Sequence, residues 1–126
     1  MVRLRTKSDD YEIELNDSDT ANAIYLALPF EGYANLWGDE IYFEIPVHMG
    51  PEDRGKREMD VGEVAYWPSG SALCLFFGPT PVSIGNKPMA YSPVNPVGKV
   101  LGDPRRLERI GDRMKVILEL ASTTHK

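Results

Sequence analysis

Apolar and polar residues alternate along much of this chain, a pattern typical of strands with one buried face. The alternation covers residues 2–7 and 12–15, and the turn-forming segment Ser8-Asp9-Asp10 separates the two stretches. Together they predict a first hairpin. Near the other end, apolar residues alternate with Lys115 and Glu119 from Met114 to Leu120, which predicts a last strand.

Helical spacing replaces the alternation after residue 15. Asn16 to Asp19 supplies N-cap side chains and negative charge at a helix start. Apolar residues then follow at i, i+3, i+4 and i+7 until Pro29, which ends the helix. These residues are Ala21, Ile24, Tyr25 and Leu28. A second, short helix is predicted from Asp103-Pro104 to Arg109, with proline at its first position.

A second hairpin is predicted where Phe30–Trp37 and Ile41–Val47 flank the loop Gly38-Asp39-Glu40. The period of two places the odd-numbered residues from 41 to 47 on one face of the strand. Tyr42 and Glu44 then lie on the opposite face, where they would line whatever the sheet encloses or presents.

The stretch from Gly62 to Pro81 predicts the central hairpin. Its two aromatic-rich, apolar runs are separated by a Pro-Ser-Gly turn and closed by a Pro-Thr-Pro corner. Tyr66 and Trp67 stand at a strand end, where large side chains either line a cleft or belong to the core. The corner from Phe77 to Pro81 is either a preorganised wall of such a cleft or only a rigid turn.

Three segments carry no regular pattern. His48 to Asp60 is a polar loop of about a dozen residues, a length at which functional loops become common, although plain surface explains it equally well. Asn86 to Asn95 holds too many prolines for a central strand, which predicts irregular structure or a sheet edge. Residues 121–126 are predicted to form a loose tail.

Many short strands with one main helix predict a mostly β protein, either a sandwich or a barrel. We favour a closed barrel because closure removes exposed sheet edges. The length of 126 residues fits a single domain over 1–126.

Charge and composition exclude several function classes. The net charge of −5 disfavours binding to nucleic acid or to an anionic membrane, in spite of a basic cluster near the C-terminus. That cluster consists of Arg105, Arg106, Arg109, Arg113 and Lys115. With no apolar stretch long enough to span a membrane and no signal-like start, the chain is expected to be cytoplasmic. The single Cys74 lies in an apolar run and is expected to be a buried small hydrophobe.

Few residues suggest a reaction. Glu44 and Glu63 lie in alternating strands, where each either faces water or acts as an inward carboxylate for acid-base chemistry. Neither His48 nor His125 belongs to a metal-ligand motif, and no serine elbow or phosphate-binding loop is present. We therefore expect no metal and no cofactor, and we assign no catalytic residue.

Four stretches of sequence resemble the small prokaryotic cyclophilin-like proteins, an uncharacterised family with an atypical cyclophilin barrel. They are the helix ending in Leu-Pro, Gly-Glu-Val-Ala-Tyr-Trp-Pro, Ala-Leu-Cys-Leu-Phe-Phe-Gly-Pro-Thr-Pro and Ser-Pro-Val-Asn-Pro-Val-Gly. The resemblance covers Val2 to Leu120. It implies a closed, eight-stranded barrel with a helix at one opening.

Cyclophilins are peptidyl-prolyl isomerases in which an arginine, on the strand after the first helix, donates a hydrogen bond to the prolyl nitrogen. The corresponding strand here, Ile41 to Pro46, contains no arginine, and only Arg54 and Arg57 in the following loop could replace it. The resemblance therefore implies an apolar, aromatic binding surface more directly than it implies catalysis.

Our leading hypothesis is that the protein binds a small molecule or a short, proline-containing peptide in an aromatic pocket. An isomerase that has replaced the usual arginine is the alternative, and a structural role in a homo-oligomer is a third hypothesis. The predicted ligand-binding residues are Tyr42, Glu44, Tyr66, Trp67, Phe77, Pro79, Thr80, Tyr91 and Asn95.

Overall fold

The computed structural model describes residues 1–121 and is mostly β. The α-helix α1 spans Asp19–Ala27, and a short 3-10 helix spans Pro104–Arg109. The strands are β1 (Val2–Arg5), β2 (Asp10–Leu15), β3 (Phe30–Tyr33), β4 (Asn35–Trp37), β5 (Glu40–Glu44), β6 (Lys56–Glu58), β7 (Glu63–Trp67), β8 (Ala72–Phe76), β9 (Met89–Val100) and β10 (Lys115–Leu120).

Both helices begin as the sequence predicts. The Ser18 side chain accepts a hydrogen bond from the backbone N–H of Ala21, and the Asp103 side chain accepts one from the N–H of Arg105. Neither helix within residues 1–121 has the length and apolarity required to cross a membrane. Of the predicted loose tail, Ala121 bonds to the Met1 carbonyl, and residues 122–126 lie outside the described residues.

All strand pairs are antiparallel, and the sheet order is β3-β10-β1-β2-β9-β7-β8-β5-β4, with β6 added to β9. The predicted hairpins β1–β2, β4–β5 and β7–β8 are therefore confirmed. The closed barrel of eight strands is not, because the structure has ten strands within residues 1–121 and no ladder of hydrogen bonds joins the two ends of the sheet.

Ala34 connects β3 and β4, which are the strands at the two ends of the sheet. Its N–H donates to the Met114 carbonyl, and its own carbonyl accepts from the N–H of Arg113, so the end of β3 stays bound to the segment that leads into β10. From Asn35 onward the chain pairs with β5 instead. The single strand predicted over residues 30–37 is thus divided between the two ends of the sheet.

Alternate residues of β5, β7 and β8 enter two separate apolar clusters. The main core includes Ile41, Phe43, Val64 and Leu73 together with Ile24 of α1. The second cluster lies on the other face of these strands and consists of Met59, Ala65, Cys74, Phe76, Ala90 and Val94, with Tyr42 and Trp67 packed against it. The predicted division of β5 into two faces is confirmed, as is the burial of Cys74.

The prediction of irregular or edge structure for residues 86–95 is wrong from Met89 onward, where the chain enters the long central strand β9. Pro96 is accommodated because it pairs with Ala65, at the point where the register against β7 shifts by a bulge. At Gly98 the β2 backbone approaches closely, since an added Cβ would lie 2.2 Å from the Glu14 carbonyl oxygen.

Candidate functional site

A pocket of about 200 Å³ lies on the second face of the sheet, beside the second apolar cluster. We call it the β5–β9 pocket because strands from β5 to β9 supply most of its wall. Its lining residues are Trp37, Glu40, Tyr42, Trp67, Cys74, Ala90, Tyr91 and Val94.

Strand register brings the first lining residues together. Glu40 and Tyr42 are two positions apart on β5 and therefore point to the same face. Tyr42 pairs with Cys74 of β8, and Glu40 pairs with Trp37 across the β4–β5 turn. Each of these pairs places two side chains next to each other on the pocket side of the sheet.

Three of the aromatic side chains that line the pocket lie next to one another. The Tyr91 ring is nearly perpendicular to Trp37, at 76° with centroids 6.1 Å apart, and to Trp67, at 80° and 6.2 Å. The indole Nε1 of Trp67 donates to Ser92 Oγ at 2.7 Å, which fixes the orientation of that ring. Tyr91 is 68% exposed, so the pocket opens to solvent at this ring.

Glu40 is the buried acid of the pocket. Only 5% of its surface is exposed, and its Oε1 atom is buried without a hydrogen-bond partner. Burial raises the pKa of this carboxyl to about 7, although the neighbouring Cys74 thiol acts in the opposite direction. Burial also raises the pKa of that thiol, and the neighbouring Glu40 carboxylate adds to the effect.

The turn between β4 and β5 is held in place by the Pro-Thr-Pro corner. The N–H of Asp39 donates to the Pro79 carbonyl at 2.9 Å, and the N–H of Phe77 donates to the Asp39 carbonyl at 2.9 Å. Gly38 has a φ of +60°, and an added Cβ would lie 2.8 Å from Pro81 Cδ. The corner therefore positions the strands that carry Trp37 and Glu40.

Comparison with protein families matches residues 1–119 to the family described as cyclophilin-like. The chain belongs to this cyclophilin-like family. It is also similar to the solution structure of the hypothetical protein AF2241 from Archaeoglobus fulgidus, with 39% sequence identity and a TM-score of 0.80. That match covers 95% of this chain and 93% of the archaeal chain. A comparison with curated proteins finds no match.

Three of the nine predicted ligand-binding residues of this cyclophilin-like protein line the β5–β9 pocket: Tyr42, Trp67 and Tyr91. Tyr66 and Phe77 are instead buried in the main core, on the other face of the sheet. The Tyr66 hydroxyl donates to the Val47 carbonyl at 2.6 Å. The structure therefore does not bring Trp67 and Phe77 together.

Three more of the predicted residues also lie outside the pocket. Pro79 braces the β4–β5 turn, and the Thr80 hydroxyl donates to the Met89 carbonyl at 2.6 Å. Glu44 is exposed two residues beyond Tyr42 on β5. None of these three residues lines the pocket.

Asn95 organises the polar loop after β5. Its side chain is 1% exposed, accepts from the N–H of Glu52 at 3.0 Å and donates to Thr20 Oγ1 and to the Gly50 carbonyl. The Thr20 hydroxyl bonds in turn to the Glu52 carboxylate. Asn95 thus ties this loop to the first turn of α1.

The sequence analysis missed five lining residues: Trp37, Glu40, Cys74, Ala90 and Val94. For Glu40 a signal was available, because the period of two that placed Tyr42 and Glu44 on one face also includes Glu40. No local pattern marks Ala90 or Val94, since their position depends on β9 packing beside β7.

The two candidate isomerase arginines do not line the pocket of this cyclophilin-like protein. Arg57 lies on β6, and its Nε donates to the Ala90 carbonyl at 3.1 Å, while Arg54 is exposed in the loop before β6. Within residues 1–121, no three His, Cys, Asp or Glu side chains are grouped as metal ligands would be.

Proposed function

We propose that this protein binds a small molecule, or a single apolar ring of a short peptide such as a prolyl ring, in the β5–β9 pocket. The observation that carries the proposal is the meeting of Trp37, Trp67 and Tyr91, which come from three different strands, around one small open space. Aromatic side chains with little polar surface around them are characteristic of ligand sites.

The size of the pocket restricts the ligand. An engineered apolar cavity of about 150 Å³ holds one benzene molecule. The β5–β9 pocket, at about 200 Å³, therefore suits a group of roughly six to nine non-hydrogen atoms and is smaller than typical sites for drug-sized molecules, at about 300 Å³ or more. A cyclic fragment or one peptide side chain fits this limit, whereas a nucleotide does not.

The chain offers a clean assay because it contains only two tryptophans, and both line the pocket. Protein labelled with fluorotryptophan should give two fluorine NMR signals, each reporting on the same site. We would titrate it with six-membered and five-membered ring fragments and with an N-acetylated, C-amidated proline. The expected result is that both signals shift and saturate at a common dissociation constant.

A matched pair of variants tests the location. Tyr91→Ala should weaken binding of the same fragment by about tenfold, since an aromatic contact of this type contributes about 0.5–1.5 kcal/mol beyond its buried area. Tyr33→Ala, which removes another exposed tyrosine that does not line the pocket, should leave the affinity unchanged. If no fragment or proline derivative shifts both tryptophan signals at millimolar concentration, the proposal is refuted.

The isomerase and oligomer hypotheses predict other outcomes. An isomerase would accelerate prolyl isomerisation in a coupled assay, and the acceleration would be lost in Arg54→Ala or Arg57→Ala. A structural role in a homo-oligomer would make the sedimentation coefficient depend on Tyr91, whose exposed ring would then lie in an interface.

A further inference from the structure

The Glu40 carboxyl makes the pocket suited to a ligand that donates a hydrogen bond, which the aromatic rings alone do not require. A buried oxygen without a hydrogen-bond partner is costly, and natural proteins rarely leave one without a reason. Glu40 Oε1 is such an atom, and the side chain that carries it lines the β5–β9 pocket. A ligand that donates a hydrogen bond at this position would satisfy it.

The charges around Glu40 favour a cationic donor. The other titratable groups that line the pocket are Tyr42 of β5, Cys74 of β8 and Tyr91 of β9, so no lysine, arginine or histidine of the lining can pair with the carboxylate. Arg57 of β6 directs its Nε to the Ala90 carbonyl. The net charge of −5 also attracts cations to the protein as a whole.

The rings are suited to the same kind of ligand. Tyr91 stands nearly perpendicular to both indoles, so its ring is not stacked face to face with either of them. Aromatic faces attract a desolvated cation, and tryptophan does so most strongly. A pocket lined by aromatic rings and a carboxylate is therefore complementary to a compact positive charge with an apolar surface.

We propose that the ligand of the β5–β9 pocket is a small alkylammonium ion that carries at least one N–H, which donates to Glu40 Oε1 while its carbon atoms contact Trp37, Trp67 and Tyr91. This inference rests on the proposed function, since it names the chemical class that the proposed site binds. A ring of five carbons with one amino group fits the size limit of the pocket.

Two probes of equal size separate charge from shape. Cyclopentylammonium and cyclopentanol have the same carbon skeleton, and an alkylammonium remains charged up to about pH 10. Their dissociation constants would be measured at about pH 8 by fluorine NMR of the fluorotryptophan-labelled protein. We expect cyclopentylammonium to bind at least about tenfold more tightly than cyclopentanol, because a hydrogen bond between charged groups is stronger than a neutral one.

Glu40→Gln should remove this preference and leave the affinity for cyclopentanol within about threefold of the wild type. Glu44→Gln is the matched control, because Glu44 lies exposed on the same strand and outside the pocket lining. The retention of two resolved fluorine signals shows that each variant has folded. If Glu40→Gln does not fold, the pH dependence of binding to the wild-type protein provides the test. The affinity for cyclopentylammonium should rise about tenfold from about pH 5.5 to 8.5 as Glu40 ionises, whereas the affinity for cyclopentanol should not change.

Two failures are distinguishable. If neither these two compounds nor the ring fragments and the proline derivative shift both tryptophan signals at millimolar concentration, the proposed function fails and this inference fails with it. If cyclopentanol binds as tightly as cyclopentylammonium, or if Glu40→Gln keeps the preference for the cation, the pocket is a binding site but the ammonium assignment is wrong.

Discussion

Glu40 should lower the stability of the protein as the pH rises, and the substitution Glu40→Gln should remove this effect. Burial raises the pKa of its carboxyl to about 7 in the folded protein, from an ordinary value of 4.5. Below about pH 4.5 the group is protonated in both the folded and the unfolded state, so it costs nothing. Above about pH 7 it is ionised in both states, and the folded protein bears the full cost of the buried charge.

The difference between 4.5 and about 7, at about 1.36 kcal/mol for each pH unit, corresponds to about 3 kcal/mol. Wild-type stability should therefore fall by about this amount as the pH rises through this interval, apart from changes due to other groups. The glutamine of Glu40→Gln has no charge at any pH. The difference in free energy of unfolding between this variant and the wild type should therefore increase by about 3 kcal/mol, in favour of the variant, between about pH 4 and pH 8.5.

Urea denaturation of both proteins at several pH values measures this difference, since the other titrating groups are common to both. Glu44→Gln serves as the control, because solvent surrounds Glu44 on the same strand. A Glu40→Gln curve that stays parallel to the wild type across this pH interval would show that the Glu40 carboxyl is not in the environment described here.

Two further substitutions and one chemical modification test other parts of the structure. Gly38→Ala should lower the free energy of unfolding by about 2 kcal/mol or more, because φ is positive and the added Cβ meets the Pro-Thr-Pro corner, whereas Gly85→Ala, with open space around it, should be neutral in thermal melts. Asn95→Ala should cost about 2–3 kcal/mol in urea denaturation, since buried partners lose their hydrogen bonds, while Asn86→Ala on the surface should change stability by less than about 0.5 kcal/mol. Cys74 should react with a thiol reagent only in denaturant, because burial raises its pKa, and rapid reaction of the native protein would contradict its placement.

The elements that the sequence predicted correctly are those set by local chemistry. The Ser18 and Asp103 caps and the stop at Pro29 depend on neighbouring residues only. The division of β3 from β4 depends instead on hydrogen bonds between Ala34 and the distant segment that precedes β10. Likewise, prolines exclude a central strand only if no bulge accommodates them, and the bulge next to Pro96 depends on the pairing of β9 with β7.

Residue type alone predicts only some of the residues that line the candidate site, because it does not show on which face of a strand each residue lies. Tyr66 and Trp67 were both predicted to line the pocket, although adjacent residues of a strand point to opposite faces. The alternation of faces is enough to place Tyr66 and Trp67 on opposite faces of β7, and to place Glu40 on the same face of β5 as Tyr42. The contribution of Trp37 could not have been deduced, since it depends on which strands become neighbours in the folded sheet.

The most direct test of the proposed site is a crystal structure of the protein with cyclopentylammonium bound. We expect the ring of the ligand to contact Trp37, Trp67 and Tyr91, and its nitrogen to lie within hydrogen-bond distance of Glu40 Oε1. Ligand density elsewhere on the protein, with the β5–β9 pocket empty, would contradict it.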